Sequence, residues 1–235
     1  MPPGPTAVAS SHHAIVVADG DVPGRAALDA AWPDWDQGVV DVIAADGGYA
    51  RALAVGLAPT RLVGDLDSLD PALADAAAAA GIPVVRSPAE KDESDTELAL
   101  LEAIRVGATR ITVLGAFGGP RLDHELANLW LLGHPALAAT AVALLDAATR
   151  ASLISAPGPA GGPVERRLPG PIGATVSLLP FGGDVMGVTT IGLRYPLHGE
   201  PLVAGPARGL SNVREHAGAV VRLERGRLLV LESAP

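Results

Sequence analysis

Four short acidic motifs contain the side chains in this sequence that could do chemistry. They are AADGG at 44–48, GDLDS at 64–68, KDESDTE at 91–97 and GGPRLDH at 118–124. Asp65 and Asp67 follow an aliphatic run, and extended backbone would point both carboxylates the same way, roughly 6–7 Å apart. At an effective dielectric of about 20, two such charges repel by roughly 2–3 kcal/mol. A hard divalent cation relieves that repulsion, and an all-oxygen donor set favours Mg²⁺.

Further carboxylates would enlarge this cluster. Asp46 and Asp95 are expected members, and Asp92 or Asp123 could join them. Carboxylates alone would repel a polyphosphate, whereas carboxylates around Mg²⁺ would hold one. The motifs therefore predict a site for a magnesium-bound phosphate ligand.

Each acidic motif follows a predicted strand. Aliphatic runs alternate with alanine-rich helical segments through the first 149 residues, which indicates a parallel sheet covered by helices on both faces. The predicted strands cover residues 14–18, 39–44, 61–63, 83–86, 110–114 and 142–145. The predicted helices lie near residues 24–31, 49–55, 71–80, 95–106 and 124–132. Because the carboxyl ends of parallel strands lie along one edge, we expect the four motifs to converge on one crevice.

Ordinary structural roles compete with this interpretation for some of the polar residues. Ser94 has the spacing of a helix-capping box, and Asp46 beside two glycines would alone be a turn residue. Asp65 and Asp67 fit a structural role less well, because Asp70 already supplies the cap of the following helix.

The basic residues of the motifs have two interpretations each. Lys91, the only lysine in the chain, could contact a phosphate or could be a solvated surface residue. Arg121 could bind phosphate oxygens as a fork, or it could pair with Asp123 or Glu125. His124 is either part of the site or an ordinary residue of a helix first turn.

The second half of the chain has a different residue pattern. Short strand-like pieces broken by Gly and Pro predict a compact, mostly antiparallel β domain. The predicted strands cover residues 175–179, 188–191, 219–223 and 228–231, and residues 224–227 predict a hairpin turn. The expected organisation is a flexible N-terminal arm at 1–13, an α/β nucleotide-binding domain at 14–149 and a β-sandwich domain at 150–235.

Composition narrows the class of protein. The chain has no cysteine, which excludes disulfides and thiolate metal sites. The formal net charge is −9, and the acidic excess lies in the first 149 residues, which argues against nonspecific nucleic-acid binding. The most apolar stretch, 126–145, is interrupted by Asn128 and a Gly-His-Pro break, so we expect no membrane span. With no signal-like N-terminus, we expect a soluble, cytoplasmic protein.

Taken in order, these motifs resemble the thiamine pyrophosphokinase family. The matching pieces are ADGG, GDLDS, KDESDTE, LGAFGGPRLDH, VSLLP, VTTIGLRYPL and GLSN. The resemblance implies Mg²⁺-assisted transfer of a pyrophosphoryl group from ATP to the hydroxyethyl oxygen of thiamine, with release of AMP. It implies an α/β domain followed by a β-sandwich domain. It also implies a homodimer that holds thiamine between the first domain of one subunit and the second domain of the other.

The resemblance also implies roles for individual residues. The implied magnesium ligands are Asp46, Asp65, Asp67 and Asp95. The implied catalytic residues are Asp65, Asp67, Asp95, Arg121 and Asp123, with Asp95 or Asp123 accepting the alcohol proton. The implied ATP-contacting residues are Asp46, Gly47, Gly48, Ser68, Lys91, Asp92, Ser94, Gly118, Gly119 and His124. Ser211 and Asn212 match a thiamine-binding Ser-Asn pair. Pro120 departs from the family by interrupting a Gly-Gly-Arg run, and Ser94 replaces a common threonine.

Two alternatives belong to other functional classes. Asp-x-Asp after an aliphatic strand is also typical of aspartyl-phosphate phosphatases, in which Asp65 would be the nucleophile. Alternatively, the chain could be a protein that binds nucleotide or thiamine but has lost turnover, and the Pro120 insertion favours this view. The sequence contains neither GxGxxG nor GxxxxGK[ST], which disfavours dinucleotide oxidoreductases and P-loop kinases.

Overall fold

The computed structural model describes residues 11–66, 69–86, 91–158 and 161–234. The helices are α1 (Arg25–Ala31), α2 (Gly48–Ala54), α3 (Pro71–Ala79), α4 (Asp95–Arg105) and α5 (Leu122–Leu131), with a 3-10 turn at Pro135–Leu137. The strands of the first half are β1 (His13–Val17), β2 (Val39–Ala45), β3 (Arg61–Gly64), β4 (Val84–Arg86), β5 (Arg110–Leu114) and β6 (Ala141–Leu145). The strands of the second half are β7 (Thr149–Ala156), β8 (Val164–Arg167), β9 (Thr175–Pro180), β10 (Val185–Ile191), β11 (His198–Leu202), β12 (Asn212–Val213), β13 (Val220–Leu223) and β14 (Gly226–Ser233).

Ten strands form one large sheet, in the order β12-β9-β14-β7-β6-β5-β1-β2-β3-β4. The six strands from β6 to β4 are parallel, and the four strands of the second half pair antiparallel. The chain moves outward from β1 to β4 and then returns through α4 to β5 on the other side of β1. Strand order therefore reverses between β1 and β5, which is where open α/β sheets bind ligands.

The second sheet contains four antiparallel strands in the order β11-β10-β13-β8. It packs on the antiparallel end of the large sheet through a shared aliphatic cluster, which includes Val176, Leu178 and Leu228 from one sheet and Val188 and Val221 from the other. A mostly parallel α/β layer followed by an antiparallel β-sandwich is the predicted fold class, and the structure confirms it.

The helix ends follow from local sequence. Asp70 caps α3 by accepting the Ala72 N–H at 2.8 Å, and proline occupies the first helical position. Ser94 caps α4 by accepting the Glu97 N–H at 3.1 Å. Ala99, Leu100 and Ala103 of α4 are buried on one face of the parallel strands. Leu28 of α1 and Ala52 of α2 are buried on the other.

One expectation about the second half was wrong. The segment 224–227 is not a hairpin turn, because β13 belongs to the small sheet and β14 to the large one. The chain therefore crosses between sheets at this turn. Strand β7 was not predicted, although it pairs with both β6 and β14. Because β6 and β7 are neighbours in one sheet, the division between residues 149 and 150 stays a prediction. Of the predicted arm, residues 1–10 lie outside the described ranges.

Candidate active site

Two carboxylates from different elements meet at the carboxyl end of β3. Asp46 directly follows β2, is 6 % exposed, and donates its backbone N–H to the Val63 carbonyl at 2.9 Å. A methyl group on Gly64 would lie 3.2 Å from the Asp46 Cβ and 3.4 Å from Asp95 Oδ1. Asp46 and Asp95 thus flank the same glycine, and Asp65 is the next residue along the chain. The structure brings these three predicted site residues to one place.

Backbone strain is concentrated in the predicted motifs. In the described ranges, the residues other than glycine with positive φ are Asp46 at 45°, Leu66 at 70° and Ser211 at 58°. Each such residue costs roughly 1–3 kcal/mol, and such residues cluster at ligand sites where the surrounding structure holds them. All three lie in ADGG, GDLDS or GLSN. The strain therefore supports a functional interpretation of these motifs.

Lys91 is placed against the acidic cluster. Its side chain is 13 % exposed, and Nζ lies 2.5 Å from Asp95 Oδ1. This geometry does not fit a solvated surface lysine. Ser94 acts as the helix cap described above, which is the structural explanation for that residue. Asp92 is exposed at the start of the same segment.

The loop after β5 holds an exposed ion pair. Arg121 Nη2 lies 2.5 Å and Arg121 Nε 2.9 Å from the two carboxylate oxygens of Asp123, and both side chains are more than 60 % exposed, at 64 % and 63 %. The hydrogen bond from Arg121 is the main cause that lowers the pKa of Asp123 to about 2. A carboxylate with so low a pKa is a weak base at neutral pH. His124 lies exposed in the first turn of α5.

The sequence interpretation missed a fifth acidic loop, which follows β1. Asp19 and Asp21 lie in the segment ADGD at 18–21. Asp19 accepts hydrogen bonds from Arg51 through Nε at 3.4 Å and Nη2 at 3.0 Å, the second on its backbone carbonyl. Asp21 accepts the Gly119 N–H at 3.3 Å. The loop's carboxylates and glycine follow an aliphatic strand, and this pattern could have identified the loop from the sequence.

Close backbone packing explains several glycines of the motifs. A methyl group on Gly48 would lie 2.0 Å from the Val17 carbonyl oxygen, and one on Gly47 would lie 2.4 Å from Asp19 Oδ1. A methyl group on Gly118 would lie 2.5 Å from Asp21 Oδ2. The loops after β1, β2 and β5 are therefore packed together at the carboxyl edge of the sheet.

A pocket of about 340 Å³ opens between these loops. Its lining includes Asp21, Phe117 and Gly118 from the loops after β1 and β5, and Asp146 from the end of β6. It lies at the point where strand order reverses. The position matches the crevice in which doubly wound sheets bind nucleotides.

Ser211 and Asn212 lie in the antiparallel half. Ser211 is exposed, and its N–H donates to Ser177 Oγ at 3.1 Å. Asn212 is 8 % exposed. Its Nδ2 donates to the Tyr195 carbonyl at 2.7 Å, and its Oδ1 accepts the Tyr195 N–H at 3.0 Å. Asn212 therefore fixes the backbone of Tyr195, whose side chain is 64 % exposed. Sequence reasoning named the Ser-Asn pair but missed this aromatic residue.

The two halves of the predicted site are far apart within one chain. Ser211 precedes β12, at one edge of the large sheet, and Asp46 follows β2, seven strands further along. At about 4.8 Å per strand, this separation is roughly 34 Å along the sheet. A ligand the size of thiamine cannot span it.

Other predicted residues lie outside the described ranges, namely Asp67 and Ser68. Among the residues described, no group of three or more carboxylate or imidazole side chains is close enough to hold a metal ion. The donors present are hard oxygens, as Mg²⁺ prefers. No helix of the described segments has both the length and the apolar character needed to cross a membrane.

Two sequence-family comparisons cover most of the chain. The description "Thiamin pyrophosphokinase, catalytic domain" matches residues 36–144, and "Thiamin pyrophosphokinase, vitamin B1 binding domain" matches residues 165–228. The chain belongs to the thiamin pyrophosphokinase family. Membership in this family identifies it as an enzyme of the transferase class. The thiamine pyrophosphokinase of Bacillus subtilis strain 168 is 27 % identical over 191 residues, which cover 81 % of this chain and 86 % of that protein.

Solved structures of thiamin pyrophosphokinases share this fold. The Bacillus subtilis crystal structure has a TM-score of 0.77 at 25 % identity and covers 94 % of this chain and 99 % of that one. The Geobacillus thermodenitrificans structure has a TM-score of 0.76 at 26 % identity, with 95 % and 98 % covered. The yeast structure has a TM-score of 0.71 at 15 % identity, covers 97 % and 87 %, and supports the fold alone.

Proposed function

We propose that this member of the family transfers a pyrophosphoryl group from ATP to thiamine. The hydroxyethyl oxygen of thiamine forms a bond to the β-phosphorus of ATP. The bond from that phosphorus to the oxygen bridging the α-phosphate breaks, and AMP leaves with that oxygen. Thiamine diphosphate is the other product. The observation that carries the proposal is the meeting of Asp46 and Asp95 at Gly64, on the sheet edge where nucleotides bind.

The phosphate half of the site consists of carboxylates and two basic residues. Asp46, Asp65, Asp67 and Asp95 would hold Mg²⁺, which would neutralise charge on the phosphate oxygens. Lys91, which contacts Asp95 in the structure, would turn to a phosphate oxygen when ATP binds. The exposed Arg121 would exchange Asp123 for a phosphate, to which its fork is equally suited.

Residues along the same edge of the sheet would also bind the nucleoside and accept the hydroxyl proton. The 340 Å³ pocket beside Asp21 and Phe117 would take the nucleoside. Asp95 would accept the hydroxyl proton because of its place at the carboxylate edge beside Gly64, whereas Asp123 is mostly exposed and held by Arg121. Asp95 also lies directly beside the carboxylates that would hold the phosphates.

The thiamine half would come from a second copy in a homodimer. The distance across the sheet supports this arrangement, and so does an apolar stripe next to the Arg121 loop. Leu122, Leu126 and Trp130 of α5 are 66 %, 46 % and 64 % exposed, an apolar surface of the kind that partners cover. In the partner, the exposed ring of Tyr195 would stack on the flat, cationic thiamine, which aromatic faces attract.

The proposal is tested by incubating the protein with ATP, Mg²⁺ and thiamine and separating the products by chromatography. We expect AMP and thiamine diphosphate in equal amounts, and no product when EDTA is present. Phosphate release without thiamine, together with a phosphorylated Asp65, would instead establish the phosphatase alternative. Binding of both substrates without any product would establish the binding-protein alternative. The cytoplasm remains the proposed location.

A further inference from the structure

A second cavity, unrelated to the carboxylate edge, lies on the face of the large sheet over β5, β6 and β7. It has a volume of about 990 Å³. Its floor includes Thr112, Ala141, Ala143 and Ser152. One wall is the segment from Trp32 to Trp35, and the other is the edge strand β8 with Leu168. We call this cavity the arginine trough, after the four arginines that line it: Arg110, Arg150, Arg166 and Arg167.

The trough exists because of the chain topology. Helix α1 covers β1 and β2 on this face, and the small sheet covers β7 and β14. The connection from β6 to β7 contains only residues 146–148, so it supplies no helix to cover β5 and β6. The small side chains of the floor, Ala141 and Ala143, leave this gap open.

Positive charge exceeds negative charge in the trough. The residues that line it include four arginines against two carboxylates, those of Asp34 and Glu232. Glu232 is fully buried, binds Arg150 Nη1 at 3.2 Å and accepts the Gly170 N–H at 2.8 Å. Arg110 donates to the Asp34 backbone carbonyl at 3.2 Å, which leaves its charge uncompensated by that contact.

The two arginines of the floor repel each other. Burial is the largest cause that lowers the pKa of Arg150, Glu232 opposes it, and the charge of Arg110 lowers it further. Because Glu232 already has two partners, a bound anion is the natural means to balance Arg110. Arg166, which pairs with the buried Val221, adds positive charge at the rim, whereas Arg167 lies on the outer face with Arg222. Charge complementarity therefore selects an anionic ligand.

The shape of the trough selects the rest of the ligand. Its volume lies at the upper end of the range for small-molecule sites, and apolar walls with a few convergent polar groups are typical of such sites. Trp32, Leu137 and Val164 supply apolar surface beside the arginines. A bare inorganic ion would leave that surface uncovered.

We propose that the arginine trough binds a small organic anion, a carboxylate or phosphate monoester attached to an apolar body. The trough shares no lining residue with the 340 Å³ pocket. It opens on Arg110, Ile111 and Thr112 at the start of β5, whereas the nucleotide edge follows the end of that strand. The inference therefore does not depend on the proposed transfer reaction.

Tryptophan fluorescence can report on the trough. The chain has three tryptophans, of which Trp32 and Trp35 line the trough and Trp130 lies on α5. In the Trp130→Phe variant, all tryptophan emission comes from the trough. The probes are phenyl phosphate, benzoate, inorganic phosphate and phenol, each titrated without ATP and thiamine and again with saturating Mg²⁺-ATP. Calorimetry on the unsubstituted chain measures the dissociation constants of the same probes independently.

We expect phenyl phosphate or benzoate to bind at least ten-fold more tightly than phenol and inorganic phosphate, with no competition from Mg²⁺-ATP. The comparison of the two organic anions shows whether the site takes phosphate or carboxylate. Ala141→Phe fills the floor at an exposed alanine and should abolish binding. Arg110→Gln should weaken it at least ten-fold. Arg222→Gln, on the outer side of the small sheet, is the matched control and should bind normally.

Several results would overturn the proposal. Wild-type affinity in a folded Ala141→Phe variant would place the probe elsewhere, and equal affinity for inorganic phosphate would mean that the arginines bind an ion alone. Loss of a dimer in Ala141→Phe, measured by sedimentation, would make the trough a contact between copies of the chain. Failure of the transfer reaction would leave each of these measurements unaffected.

Discussion

Gly64→Ala tests the geometry that brings the carboxylates together. Gly64 has φ of 141°, a conformation that side chains other than glycine rarely adopt. The new methyl group would lie 3.2 Å from the Asp46 Cβ and 3.4 Å from Asp95 Oδ1. The substitution therefore strains the backbone and also pushes on two proposed magnesium ligands.

The backbone strain should lower the free energy of unfolding by roughly 1–3 kcal/mol. For a chain of this size, each kcal/mol lowers Tm by about 2–4 °C. Displacing catalytic groups by about 1 Å can reduce rates on the order of 10²-fold. A shift of a few tenths of an ångström should therefore lower kcat/KM for ATP about ten-fold or more.

Gly81→Ala is the matched control. Gly81 has φ of 69°, and a methyl group there would meet nothing within 4 Å. The variant should lose a comparable amount of Tm, because an alanine in left-handed backbone costs roughly 1–2 kcal/mol. Its kcat/KM should be unchanged. Thermal unfolding and steady-state kinetics on both variants measure the two effects separately. Wild-type kcat/KM in Gly64→Ala would refute the assignment of Asp46 and Asp95 to the phosphate site.

The remaining predictions concern charge and assembly. Asp65→Asn should reduce kcat on the order of 10²-fold at unchanged Tm, whereas the exposed Asp75→Asn should match wild type; equal rates in both would exclude a role for Asp65. Arg121→Gln should raise the pKa of Asp123 from about 2 toward its ordinary 3.8, as a carboxyl NMR titration would show. Because folding depresses this pKa, the ion pair stabilises the protein at neutral pH and is lost as pH falls from about 4 through about 2. Leu126→Asp should convert dimer to monomer in sedimentation experiments, and an unchanged sedimentation coefficient would exclude α5 from the interface.

Much of the fold could be predicted from local sequence. Helix α3 was predicted because Asp70 and Pro71 start it, and β5 because four apolar or β-branched residues, 111–114, precede a glycine loop. The hairpin at 224–227 was wrong because a turn sequence does not specify which sheet its flanking strands join. Strand β7 was missed because TRASLISA leads into a segment rich in glycine and proline, which concealed it.

Some residues of the candidate site were predicted from the sequence, and others were missed. The approach of Asp46 to Asp95 follows from parallel topology alone. Asp21 was missed although ADGD has the same pattern as the other motifs, and Tyr195 was missed because only the structure shows Asn212 fixing its backbone. The arginine trough depends on the packing of residues distant in sequence, for which no local pattern exists.

The central claim is that one copy of the chain holds the phosphates and another holds thiamine. Mixing two inactive variants tests it most directly. Asp65→Asn disables the phosphate half, and Ser211→Arg places bulk and positive charge at the exposed thiamine half. In a mixed dimer, both substitutions would fall in one site and leave the other intact.

The measurement is the rate of thiamine diphosphate formation in an equimolar mixture after subunit exchange, which fluorescence transfer between labelled chains verifies. Each variant alone should be nearly inactive. Random exchange in a two-fold dimer should restore about one quarter of the wild-type rate. A mixture that exchanges subunits and remains as inactive as its components would contradict a site shared between two copies.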